Sequence, residues 1–75
     1  MIKEKYFEYQ LIANPIKMNI EKWGVSVIIE KIINGKIKSE TFLANDNIFY
    51  ILEIEAAKEG INLGKNLIKS KNVGF

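Results

Sequence analysis

The chain contains no cysteine, no histidine and no arginine, and its only proline and only aspartate are Pro15 and Asp46. Without Cys and His the usual zinc-ligand sets cannot be assembled. Thiol chemistry and the Ser-His-Asp or Cys-His arrangements are closed for the same reason. No disulfide can staple the fold, so its stability has to come from packing or association. Without arginine the bidentate guanine contact that dominates direct base readout is absent. Lysine ammonium groups could still meet phosphates.

Long apolar runs are missing too. The longest is Ile48-Phe49-Tyr50-Ile51-Leu52, far short of a bilayer span. The start, Met-Ile-Lys-Glu-Lys-Tyr-Phe-Glu, is interrupted by charge every residue or two, unlike a signal peptide. The expectation is a cytoplasmic protein with no membrane partner, no metal and no cofactor, and not an enzyme.

What is present suits one small folded unit over 1–75. Hydrophobic residues make up 48% and charged residues 27%, and mean hydropathy is close to zero, which argues against disorder. The net charge is +2, too weak on its own to imply a polyanionic partner.

Residues 6–13 alternate, with Phe7, Tyr9, Leu11 and Ala13 on one face and Glu8 and Gln10 on the other. That is the period of a half-buried strand, ended by Asn14-Pro15. Residues 16–22 alternate with shifted parity and read as a long irregular connection that could hold a bulged strand extension. Residues 23–33 form the clearest strand, with Trp23, Val25, Val27 and Ile29 on one face. Asn34-Gly35 follows at once, the residue pair favoured by a type I′ hairpin turn. A two-residue loop fixes the register of the next strand, about Lys36 to Ala44. Ile33 then faces Lys36, Ile32 faces Ile37, Val27 faces Phe42 and Val25 faces Ala44.

Asn45-Asp46-Asn47 is a cluster of turn and cap residues. Beyond it a helix is expected, running to about Lys69 or Ser70, with residues 48–52 either its first turn or a last extended segment. Ile54, Ala57, Ile61, Gly64 and Ile68 recur at helical spacing, flanked by Ala56, Gly60, Leu63 and Leu67, while charged and amide side chains fill the other face. Gly60 and Gly64 cost helix propensity, so their spacing implies close approach of helix to sheet. The expected fold is α+β, a three-stranded antiparallel β-meander with one C-terminal helix packed on one face.

The combination resembles a group of small uncharacterised bacterial proteins built from a three-stranded antiparallel sheet and one C-terminal helix. The resemblance rests on Tyr9-Gln10-Leu11-Ile12, Pro15, Trp23 and Phe42. In the helix it rests on Glu55-Ala56, Gly60, Gly64-Lys65 and Ile68. It covers most of 6–69, supports the fold and implies no activity.

One helix cannot cover both faces of a sheet. The hairpin register places Ile28, Ile32, Ile37 and Leu43 on the face away from the helix, joined by Ile12 of the first strand. A cluster of aliphatics on an open face is a contact surface. It points to a homodimer or a protein partner, unless residues 16–20 or the tail fold over that face. The alternative is a weak, sequence-tolerant binder of single-stranded nucleic acid, stacking a base on Tyr6 and using Lys5, Lys22, Lys31 and Lys38. Those lysines are scattered in the sequence, which favours the protein contact. Trp23 reads as a core aromatic rather than a ligand platform. Glu55 and Glu59 read as a solvated helix face with Lys58 beside them.

Overall fold

A computed structural model of the chain describes residues 2–75. It contains β1 (Lys3–Tyr6), β2 (Tyr9–Ala13), β3 (Ile16–Asn19), β4 (Lys22–Gly24), β5 (Ser26–Ile33), β6 (Lys36–Leu43), β7 (Phe49–Tyr50) and α1 (Glu53–Lys69). All strand pairings are antiparallel. The larger sheet has the order β1-β2-β5-β6 and the smaller one β3-β4-β7. The protein is therefore α+β with one C-terminal helix, but seven strands in two sheets among the described residues replace the expected three-stranded meander.

Three local features account for that difference. Phe7 and Glu8 form a tight turn between β1 and β2, with Tyr6 paired to Tyr9 and Phe7 at a φ of 55°. Phe7 is thus exposed at a hairpin tip rather than in a strand with Leu11, its ring edge-on to Tyr6 with centroids 4.6 Å apart. Next, Asn14-Pro15 interrupts one long strand, and Val25 interrupts its partner. The residues between these breaks pair as β3 and β4, with an irregularity between Lys17 and Asn19. Finally, the Asn45 side-chain carbonyl accepts the Asn47 N–H at 3.0 Å. This Asx turn directs the chain into β7, which pairs with β4 through Trp23–Tyr50 and Gly24–Phe49. The cap-like cluster at 45–47 therefore makes a turn. The helix starts later, at Leu52-Glu53, without a side-chain cap.

The β5–β6 hairpin has the register that Asn34-Gly35 dictates: Ile33–Lys36, Ile32–Ile37, Ile29–Glu40 and Val27–Phe42 are opposite pairs. Both turn residues have positive φ, 53° and 77°, as a type I′ turn requires. The helix lies across β2 and β5. Beneath it Leu11, Ala13, Val27 and Ile29 meet Ala57 and Ile61 in one buried cluster. Gly60 and Gly64 are buried on the same helical face, which is the close approach their spacing implied. Ile54, expected in that stripe, projects beyond the core and is half exposed. Trp23 is only half-buried and lies outside the core cluster, in the smaller sheet opposite Lys17 and Tyr50. The tail returns on the helix side. Val73 and Phe75 pack against the core, and the Tyr9 hydroxyl donates to the Phe75 carbonyl.

Candidate interaction surface

The face of the larger sheet opposite the helix is built row by row from the register. Across β2, β5 and β6 the rows are Ile12–Ile28–Thr41 and Gln10–Glu30–Ser39. They are flanked by Ile32–Ile37 at the turn end and Ser26–Leu43 at the other. The five sequence-predicted residues thus share one face. Ile12 and Ile28 are half-buried, whereas Ile32, Ile37 and Leu43 are 71%, 68% and 68% exposed. Neither expected cover lies across them. Residues 16–19 pair into the smaller sheet, and the tail is on the other side. Ser26 is fully buried although its parity is outward. Its hydroxyl accepts from the Asn14 side-chain amide at 3.3 Å, which leaves no buried side-chain polar atom unpaired among the described residues.

The surface extends beyond the residues that the sequence singled out. Leu43 borders a shallow cleft of about 100 Å³ lined also by Ile16, Met18, Gly24 and Ile48. Ile16, Met18, Ile48 and the neighbouring Phe49 are all exposed. The sequence carried two signals for them, the apolar run 48–52 and the alternation of Ile16 and Met18, but neither said which sheet they would join.

The residues proposed for nucleic acid do not converge. Tyr6 lies on the helix side, packed against the core, with the Lys65 ammonium 5.9 Å from its ring centre and Lys65 in turn paired to Glu4. The expectation of an open-face Tyr6 is therefore corrected: its pairing with Tyr9 places it on the core side. Lys22 sits over the Phe49 ring at 4.6 Å in the smaller sheet. Lys38 is on β6, on the helix side but beyond the helix. Lys5 and Lys31 both line a groove of about 490 Å³, together with Glu8, Tyr9, Glu30 and Ile37. Lys31 is 3.8 Å from Glu8. Two ammonium groups and two carboxylates leave this groove with no net charge to attract a phosphate chain.

Among the described residues no group of three or more acidic, His or Cys side chains is placed to hold a metal ion. No helix among the described residues is long and apolar enough to cross a membrane.

The fold and surface define a class, a small α+β chain whose helix covers one sheet face and leaves an aliphatic face open. Comparison with protein-family models, curated proteins and solved structures finds no match.

Proposed function

We propose that this chain is a small non-enzymatic protein-interaction module that self-associates through the outer face of its larger sheet, as a homodimer. The observation that carries this reading is the exposure of Ile32, Ile37 and Leu43 on one face that the helix does not reach. Leu43 continues that face into the Ile16–Met18–Ile48 cleft. Burying such side chains is worth roughly 1.5–3 kcal/mol each, set against the cost of ordering two chains into one complex. The helix pattern is accounted for by packing at Gly60 and Gly64 and adds no activity to this reading.

The experiment is a solution mass measurement at tens of micromolar, on the wild type and on the Ile37→Lys/Leu43→Lys double variant. The wild type is expected at about twice 8.6 kDa. The variant is expected as a folded monomer, since both side chains already face water and their loss costs the fold little. A wild-type monomer at these concentrations sinks the proposal. Nucleic-acid binding is the losing alternative, because the Lys5–Lys31 groove is charge-balanced. It would show itself as single-strand binding that weakens steeply with salt.

A further inference from the structure

Resting on the self-association reading, and moving its contact from the outer face to the rim of that face, we infer that the second copy docks edge to edge, β6 against β6, with Ser39 on the two-fold axis. Sheet order leaves β6 at a free edge, and seven of its eight residues are exposed. Edge strands are commonly protected by shortness, proline, bulges or charged side chains, lysine above all; of these β6 has only Lys36, Lys38 and Glu40, a guard that turns away any strand except one presenting the opposite charges. The opposite edge, β1, has only four residues, Lys-Glu-Lys-Tyr. β6 is twice as long, pairs with β5 without a break and contains no proline.

The ladder shows which groups are free. Ala44 N–H donates to the Val25 carbonyl at 2.9 Å. Hydrogen-bonded pairs alternate along an antiparallel ladder, so Phe42, Glu40, Lys38 and Lys36 bond to β5. Ile37, Ser39, Thr41 and Leu43 therefore turn their N–H and C=O groups outward. An antiparallel partner copy must bond to those odd-numbered residues, which leaves few symmetric registers. Centring on Lys38 sets Lys38 against itself. Centring on Glu40 sets Glu40 against itself. Both place like charges opposite, which disfavours pairing. Centring on Thr41 pairs neither charge. Centring on Ser39 places Lys38 of each copy opposite Glu40 of the other, twice.

The same register continues both sheet faces across the seam. On the outer face, Ile32 and Ile37 of one copy continue into Thr41, Ile28 and Ile12 of the other, an unbroken row across the joined sheets. On the helix side, Lys38 lies opposite Lys31 within the chain, an unfavourable like-charge pair, and Glu40 lies opposite Ile29. Neither Lys38 nor Glu40 forms a salt bridge among the described residues. The second copy gives each a partner. Its occupancy of this edge is strand addition with charge complementarity setting the register.

The test is a dimer dissociation constant measured by sedimentation for the wild type, Ser39→Pro, Lys38→Glu, Glu40→Lys and the Lys38→Glu/Glu40→Lys double swap. Circular dichroism confirms that each remains folded. Proline at position 39 removes an outward N–H and leaves the β5–β6 ladder intact, and Lys38→Glu relieves the contact with Lys31. Ser39→Pro is expected to abolish the dimer. Each single charge reversal is expected to weaken it about tenfold or more, and the double swap to return it to within about threefold of wild type. A dimer indifferent to Ser39→Pro and to Lys38→Glu, yet lost in Ile37→Lys/Leu43→Lys, overturns edge pairing in favour of face-to-face stacking and leaves self-association standing. A double swap as weak as the single reversals overturns the register. A wild type that stays monomeric at tens of micromolar overturns the underlying reading itself.

Discussion

Leu11→Ala is expected to lower the unfolding free energy by about 3 kcal/mol. Leu11 has no exposed surface and is among the largest fully buried side chains. It stands in β2 beneath the helix, and a Cβ added at Gly64 would lie 3.0 Å from its Cδ2. Truncation therefore opens a cavity directly beneath the helix. A chain of this length has a total stability of roughly 4–11 kcal/mol, so the loss is a large share of the whole. Urea denaturation should show a lower midpoint with an unchanged slope. A loss under about 1 kcal/mol would mean that Leu11 is not a core residue. The cavity should also couple to Gly64. With Leu11 truncated, two of the three methyl contacts of a Cβ at position 64 vanish and only the Val27 Cγ2 at 3.2 Å remains, so Gly64→Ala should stabilise the Leu11→Ala background more than the wild type. A double-mutant cycle reads that difference directly.

The parts of this fold legible in the sequence are those where local chemistry and tertiary packing agree. Asn34-Gly35 specified a turn, the turn specified a register, and the register sorted the isoleucines of β5 and β6 between two faces. In the helix, small residues four apart specified the contact face because each carries a propensity cost that only close packing offsets. The same register made Ile28, Ile32, Ile37 and Leu43 of the outer face legible in the sequence, and Ile12 joined them from the first strand.

The illegible parts lack one of those agreements. β1 is an edge strand whose first three residues are exposed, so Lys3-Glu4-Lys5 carries no alternation. Its turn is made by Phe7 at positive φ without the Gly or Asn that normally announces one. The alternation from Tyr6 to Ala13 therefore ran straight through a chain reversal. That misreading moved Tyr6 to the wrong face and with it the stacking residue of the nucleic-acid alternative. The smaller sheet failed for a different reason. Its strands have two to four residues, too short for periodicity to register. Their pairing depends on Phe49 and Tyr50 returning to β4 after a turn that resembles a helix cap. The apolar cleft beside Leu43 is assembled from those strands, so it could not be read in advance.

Gly60→Ala is expected to destabilise the protein by about 2 kcal/mol, although alanine is the better helix former by roughly 1 kcal/mol. The added Cβ would stand 2.5 Å from the Ser26 carbonyl oxygen. That oxygen is held in place, because it accepts the Asn14 N–H at 3.0 Å where β2 ends and β5 begins. A backbone acceptor in a ladder cannot swing aside as a side chain does, so the overlap falls at the upper end of overpacking costs, about 3 kcal/mol. Gly64→Ala is the internal control. Its Cβ would meet methyl ends of Leu11 and Val27 at 3.0 and 3.2 Å, and those ends can move by tenths of an ångström. Its clash and its propensity gain nearly cancel, leaving a change within about 1 kcal/mol of zero. Thermal or urea melts of the two variants, run side by side below the association range, should therefore rank Gly60→Ala well below Gly64→Ala. The reverse ranking would show that the helix does not rest on β5 at Ser26. The helix would then no longer be fixed to one face of the larger sheet, and the opposite face would lose its reason to be open for a second copy.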